Sequence, residues 1–289
     1  MKPVRKAVLP VAGLGTRVLP GTKVTPKELL NVVDRPILSY IIAEGRAAGI
    51  EHFVFVTGRS KGAIEDYFDH QVELEAQLEA KGKLDILAEL IGELPRPGEM
   101  SFVRQMAPLG LGHAVWCARD IIGDEPFAVM LPDMVMSAAK APLAQAIEAY
   151  NQKGGNIVVV EPCPEGQAHQ YGIVALDNPS GRLNRMTGMV EKPAKGTEPS
   201  NLFISGRYIL QPEIFGLLAE QGKGAGGEIQ LTDSMLTLLK SQDFHALEYE
   251  GVTYDCGDKL GLLRANIALA LARPEMEADV RAMMRELLG

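Results

Sequence analysis

Short runs of apolar, largely β-branched residues alternate along the first half of the chain with stretches whose apolar positions recur every three or four residues. Residues 6–11, 53–57, 101–104, 127–131 and 156–161 have the length and composition of buried strands. Between them, 36–48 reads as a helix: proline stands in the first turn, Ile37, Tyr40, Ile41 and Glu44 share one face, and Gly49 stops it. Residues 109–121 and 141–152 follow the same pattern. Strands separated by helices of this length imply right-handed crossovers and an α/β fold, with a mostly parallel sheet covered on both faces.

Residues 64–94 interrupt that rhythm with a Glu- and Leu-rich segment closed by Pro95 and Pro97. It reads as one or two amphipathic helices, either an insertion with a solvated charged face or a contact between subunits. The second half is more mixed. Strands are expected at 172–176, 182–191 and 202–210, with turns at 178–181 and around Gly196. A helix over 228–239 follows the glycine-rich loop 222–227, and a helical tail over 259–288 breaks at Pro274. Without repeats or a low-complexity linker, residues 1–289 read as one continuous α/β core with peripheral elements.

The first strand opens into Ala12-Gly13-Leu14-Gly15-Thr16-Arg17, with Lys23 and Lys27 close behind. Glycines permit positive φ and bring backbone N–H groups close to an anion, and cations add charge that the backbone lacks. A bare strand-to-helix turn would use the glycines and need no cations. Val18 stands where a dinucleotide fingerprint needs its third glycine, and no Gly-Lys-Ser/Thr of a Walker loop follows. The loop is therefore glycine-rich but of neither type, and its cations favour a polyphosphate cradle over a plain turn. In parallel sheets ligands bind beyond the carboxyl ends of the strands, where this loop and Pro132-Asp133 both fall. A carboxylate at the tip of a buried strand is costly alone, and Mg²⁺ beside a triphosphate would pair with it. Asp255, in Tyr254-Asp255-Cys256-Gly257-Asp258, is a second oxygen ligand candidate. Read singly, each acid is better explained as a turn or cap residue.

The formal net charge of −8 disfavours nucleic acid or an anionic membrane as main partner, since both need a broad basic face. Screening confines surface charge to about 8 Å at physiological salt, so a local basic pocket can still hold a small anion. Cys117, Cys163 and Cys256 are odd in number and widely spaced, which points to no disulfide framework and no Cys-x-x-Cys metal site. The run after Lys2, Arg5 and Lys6 is too short for a signal peptide, and no stretch is apolar enough for a bilayer. A reducing cytoplasm is the expected compartment. The five histidines are scattered, with only His113 near a ligand loop, and no nucleophilic arrangement is visible. Trp116 is expected to pack in the core.

Taken in order, several segments resemble the sugar-nucleotidyltransferases, and most closely the bacterial UTP–glucose-1-phosphate uridylyltransferases. The matching pieces are 11–17, Pro26-Lys27-Glu28, Gly110-Leu111-Gly112-His113-Ala114, Leu131-Pro132-Asp133 and Val190-Glu191-Lys192-Pro193. They continue through Ser200-Asn201-Leu202, Gly206-Arg207-Tyr208, Gly227-Glu228-Ile229-Gln230-Leu231-Thr232-Asp233 and Asp255-Cys256-Gly257. The likeness spans roughly residues 5–270.

The resemblance implies a Rossmann-like, mostly parallel (mixed) sheet, plus a sugar-binding β portion and C-terminal helices. Residues 1–161 would be mainly the nucleotide half, 162–258 mainly the sugar half and 259–289 the C-terminal helices. It implies that Ala12, Gly13, Leu14, Gly15 and Thr16 hold the nucleotide, that Gln105 and Gly110 read the base, and that Arg17 and Lys27 bind the pyrophosphate portion. Tyr171, Gly172, Glu191 and Ile204 would line the glucose pocket, Lys192 would grip the phosphate of glucose 1-phosphate, and Asp133 and Asp255 would hold Mg²⁺. The implied reaction is in-line attack of glucose 1-phosphate on the α-phosphorus of UTP, without a covalent enzyme intermediate, in a homo-oligomer (dimer or tetramer). Two departures, Asn31 for a common proline and Gly21 for a usual alanine, bear on the stiffness of the phosphate loop. A dTTP-using thymidylyltransferase and a catalytically silent nucleotide-sugar sensor remain alternatives.

Overall fold

A computed structural model describes residues 1–224 and 227–289. Of the glycine-rich loop 222–227, Ala225 and Gly226 lie outside the described residues.

The strands are β1 (Lys6–Pro10), the short pair β2 (Asn31–Val32) and β3 (Arg35–Pro36), β4 (His52–Thr57), β5 (Met100–Arg104), β6 (Phe127–Met130), β7 (Met134–Ser137) and β8 (Asn156–Pro162). β9 (Gly172–Leu176), β10 (Leu183–Glu191), β11 (Leu202–Leu210), β12 (Phe244–Glu248) and β13 (Val252–Asp255) follow among the described residues. The helices are α1 (Ile37–Ala47), α2 (Gly62–Tyr67), α3 (Val72–Ala80), α4 (Leu84–Glu93), α5 (Leu111–Cys117) and α6 (Arg119–Ile122). They continue with α7 (Pro142–Lys153), α8 (Ile214–Glu220), α9 (Leu231–Leu238), α10 (Lys259–Leu271) and α11 (Pro274–Leu288).

Nine strands form one sheet in the order β5-β4-β1-β6-β11-β8-β12-β10-β9, and β9 curls back to pair with β11 through Phe203 and Ile173. The block β5-β4-β1-β6 is wholly parallel, as the first-half pattern predicts. β11 then enters antiparallel between β6 and β8, and β10 runs antiparallel to β12 and β9, so the sheet is mixed. Those insertions come from the second half, where long two-sided strands replace the strand–helix alternation.

Period-two alternation sorts the central strands onto two faces. Ala7, Leu9, Phe53, Phe55, Ala128 and Met130 join the α1 and α7 residues Ile37, Ile41, Leu143 and Ala146 in one core. Val8, Val54, Val56 and Val129 face the other way, toward Ala114 and Val115 of α5, Leu218 of α8 and Met235 of α9. Each fully buried Val, Leu, Ile, Phe or Met among them contributes about 1.5–3 kcal/mol, enough to fix register wherever both faces are covered.

The segment 64–94 forms three short helices rather than one or two. α3 and α4 contain no buried residue, and Val72, Leu74, Leu84 and Ile86 stand exposed beside the charged positions. They are tethered mainly by Glu93, which Arg35, Ser39 and Tyr67 all contact. The helix expected from 228 begins at Leu231, because the Ile229 backbone is hydrogen-bonded to Leu109 and Gly112 and Gln230 is extended. In the tail, Pro274 starts α11 as a first-turn proline and Asp258 caps α10. Among the described residues no helix is long and apolar enough to cross a membrane.

The two-stranded ribbon β7–β13 decides the site. Its antiparallel register pairs Asp255 with Met134, which brings the residue before β7, Asp133, beside the last residue of β13.

Candidate active site

A cleft of about 390 Å³ opens beyond the carboxyl ends of β1 and β6, lined by Ala12, Gly13, Leu14, Thr16, Lys27, Gln105, Gly110 and Asp133 among others. That volume suits one small ligand. The loop leaving β1 turns at Gly15, whose φ of 66° is left-handed, and its carbonyl accepts from the Thr22 hydroxyl at 2.7 Å. Folding back on residues 22–27 in this way sets the Lys27 side chain against Gly13.

The two acids meet the two cations at the cleft's edge. Lys27 Nζ is 2.5 Å from Asp133 Oδ2, Arg17 Nη2 is 3.6 Å from the same oxygen, and Arg17 Nη1 is 3.3 Å from Asp255 Oδ2. The Gly257 N–H donates to Asp255 Oδ1 at 2.8 Å, and the Cys256 N–H donates to the Asp133 carbonyl at 2.8 Å. A Cβ on Gly257 would lie 2.4 Å from Arg17 Nη2, 2.8 Å from Asp255 Oδ1 and 2.9 Å from Asp133 Oδ2. One glycine thus faces both carboxylates and the guanidinium at once.

Electrostatics reflect the crowding. Burial pushes Asp133 toward the neutral acid, but the Lys27 and Arg17 charges hold its carboxyl below the usual range. Burial lowers Lys27, yet Asp133 and Glu28 more than compensate and hold the ammonium above its ordinary value. Asp255 goes the other way: burial and then the charge of Asp133 raise it, outweighing Arg17 and the Gly257 N–H. Two carboxylates that repel each other across a glycine are suited to share a divalent cation. Among the described residues no cluster of three protein ligands exists, so phosphate oxygens and water would complete such a shell. Lys23 stands exposed, with no carboxylate partner among the described residues, so Arg17 and Lys27 are the cations that reach the acids.

On the opposite wall, the Gln105 amide nitrogen donates to the Gly110 carbonyl at 3.1 Å and contacts His113 Nδ1 at 3.0 Å. Burial lowers the His113 pKa, so the neutral ring accepts at Nδ1 and leaves the Gln105 carbonyl oxygen for another donor. The Gly112 N–H donates to the Ile229 carbonyl at 2.9 Å, and the Ile229 N–H donates to the Leu109 carbonyl at 2.7 Å. These bonds lay the 227–233 motif along the 110–114 motif and place Glu228 in the cleft wall. Trp116 is only partly buried, with the Arg119 guanidinium 3.8 Å above its ring.

The remaining predicted residues gather where β9, β10 and β11 meet. Gly172 lies against the Glu191 carboxylate and the Ile204 side chain, and the Thr232 hydroxyl donates to Glu191 Oε2 at 2.8 Å. Tyr171 packs on Phe203 with ring centroids 4.5 Å apart. Its hydroxyl is raised by burial and then by the nearby Asp255 charge, which ties this group to the acid pair. Lys192 follows β10 with a φ of 47°, strained for a residue with a Cβ, and its N–H donates to the Tyr171 carbonyl at 2.9 Å. Its ammonium is exposed and pairs with no carboxylate among the described residues. Such strain is commonly kept where it aims a functional group.

The sequence reading gave no role to Thr232, Glu228, or two buried ion pairs. Glu28 and Lys61 are 2.7 Å apart behind the phosphate loop, and Glu44 and Arg207 are 2.7 Å apart behind Asp133. Both pairs join distant segments, and only the unusual sight of Glu44 on an apolar helix face hints at either.

The family model described as Nucleotidyl transferase matches residues 6–270. The chain belongs to the nucleotidyl transferase family. Within it, the chain is 48% identical to a UTP–glucose-1-phosphate uridylyltransferase of Bacillus subtilis over 289 residues, covering 100% of this chain and 99% of the relative. A second uridylyltransferase of that name, from Staphylococcus saprophyticus, is 45% identical over 287 residues, with 99% of each covered. A solved UTP-bound UGPase from Acinetobacter baumannii superposes with a TM-score of 0.91 at 42% identity, covering 98% of this chain and 99% of that one. The expected family, enzyme class and fold therefore hold over essentially the whole length.

Proposed function

We propose that the enzyme joins UTP and glucose 1-phosphate into UDP-glucose, releasing pyrophosphate. The observation that carries this reading is the convergence of Arg17, Lys27, Asp133 and Asp255 around Gly257 at the mouth of the glycine loop. The full-length likeness to uridylyltransferases supports it.

In this reading the nucleotide lies along residues 12–16, with Gln105 and Gly110 at the base. A free amide oxygen on Gln105 can accept from the uracil N3–H, where cytosine offers no donor. Thymine differs by a methyl group worth about 1–3 kcal/mol, so some dTTP is used. Tyr171, Gly172, Glu191 and Ile204 line the glucose pocket, and Lys192 orients the sugar phosphate. Residues 1–161 thus serve mainly the nucleotide, 162–258 mainly the sugar, and 259–289 form the C-terminal helices of one nucleotidyltransferase domain.

The attacking oxygen is already anionic, so no general base is required. The difficulty is that two anions must meet, and catalysis rests on positioning and charge neutralisation. A divalent cation on Asp133 and Asp255, Mg²⁺ in this reading, would neutralise phosphate charge when bound. Lys27 and Arg17 exchange their carboxylate partners for phosphate oxygens and stabilise the departing pyrophosphate. We place the enzyme in the cytoplasm, consistent with its three free thiols, and as a homo-oligomer, consistent with the exposed Leu260 and Leu263 of α10.

Mixing protein, Mg²⁺, UTP and glucose 1-phosphate should release pyrophosphate and form UDP-glucose in equal amounts, faster than with dTTP. Tight nucleotide binding without pyrophosphate release would instead make the protein a sensor, and faster turnover of dTTP a thymidylyltransferase.

A further inference from the structure

Arg207 is fully buried in β11, and all five of its N–H donors are spent. Nε donates to Glu44 Oε1 at 3.0 Å and Nη2 to Glu44 Oε2 at 2.7 Å, a two-pronged pair with α1. Nη1 donates to the carbonyls of Gly206 at 3.2 Å and Leu131 at 3.1 Å, and Nη2 to that of Met134 at 2.8 Å. Leu131 and Met134 bracket Pro132-Asp133. Glu44 Oε1 also accepts the Leu143 N–H at 3.1 Å, at the start of α7.

A buried ion pair is weak evidence for stability, because desolvating both charges offsets their attraction. What distinguishes this one is where its remaining donors go. The turn 131–134 contains a proline without an N–H. Within the main sheet it is held by Leu131 N to the Gly206 carbonyl and by a long bond of 3.4 Å from Met134 N to the Leu131 carbonyl. On the other side the Cys256 N–H donates to the Asp133 carbonyl and the β7–β13 ladder begins at Met134. A planar guanidinium fixed by Glu44 holds both ends of that turn against two packed helices. We propose that Arg207, oriented by Glu44, is a positioning residue that sets the Asp133 carboxylate for its cation. The inference rests on the reading of Asp133 as a cation ligand.

Binding of Mn²⁺ in the presence of UTP, followed by electron paramagnetic resonance of free Mn²⁺, tests it apart from turnover. Arg207→Lys keeps the charge and loses the fork; Glu44→Gln keeps the shape and loosens the guanidinium. Displaced outer partners of a metal site typically cost about 10–100-fold in metal affinity or activity. Folded Arg207→Lys should therefore weaken Mn²⁺ at least about 10-fold and lower kcat similarly, with the KM for UTP little changed. Glu44→Gln should move Mn²⁺ binding in the same direction by a smaller factor, and it serves alone if the lysine variant does not fold. Either folded variant binding Mn²⁺ as the parent does, whatever its melting temperature, overturns the proposal. Asp133→Asn separates the two readings: if it leaves Mn²⁺ binding intact, the cation assignment itself fails.

Discussion

Gly257→Ala is the sharpest perturbation of the site, because it adds one methyl group and removes nothing. The φ of Gly257 lies outside the left-handed region, so alanine meets no backbone penalty and even gains about 0.4–1 kcal/mol by restricting the unfolded chain. The cost falls on the site. The methyl carbon would start 2.8 Å and 2.9 Å from the two carboxylate oxygens, about half an ångström short of ordinary contact for each, and 2.4 Å from Arg17 Nη2. Arg17 is exposed and can swing aside. Asp133 is held by Lys27 and by backbone on both sides, and Asp255 by the Gly257 N–H, so the acids must splay. A misplacement of 1 Å can cost about 10²-fold, so two carboxylates shifted by half that should lower kcat by about 10–100-fold. Thermal melts should show a cooperative transition at or above the parental temperature, while pyrophosphate release slows and half-maximal rate requires more Mg²⁺. A variant with parental kcat and Mg²⁺ requirement would refute the convergence of both acids on this point.

Lys192→Ala should remain folded and lose about 10²–10³-fold in kcat, the loss typical of a well-aimed donor; near-normal turnover would defeat its assignment. Asp255→Asn should abolish turnover yet melt higher than the parent at neutral pH. Its carboxyl is raised by folding, so the stability that protonation supplies is present below the unfolded carboxyl value near about 4 and lost as pH rises through the folded value. The gain should therefore fade in melts run below about pH 4. Lys61→Met should destabilise by about 3–5 kcal/mol in urea titration, since Glu28 is fully buried and its Oε1 already lacks a partner among the described residues. The double variant Lys61→Met with Glu28→Leu should recover most of that loss.

How much was legible from sequence divides along contact range. β1, β4, β6 and α1 announced themselves because period and composition are local properties, and Pro274 marked the α10–α11 break for the same reason. The acids at the strand tip and in the Asp-Cys-Gly turn were visible as types, but their pairing depends on the β7–β13 register, which couples positions 134 and 255. Nothing local encodes that. The entry of β11 between β6 and β8 was likewise hidden, since a continuously buried strand carries no sign of its neighbours' direction. Arg207 was quoted within a motif without a role, because an arginine in a strand reads as an edge residue until its carbonyl partners are known.

The β7–β13 ribbon also has a bearing on biosynthesis. The residues proposed to cradle the nucleotide emerge from the ribosome early, whereas the second acid ends β13, the last strand made among the described residues. N-terminal segments of a nascent polypeptide generally order first. On the proposed reading a growing chain can thus begin to assemble its nucleotide-binding face well before it owns both acids, and premature termination anywhere upstream of residue 255 should leave a product unable to turn over.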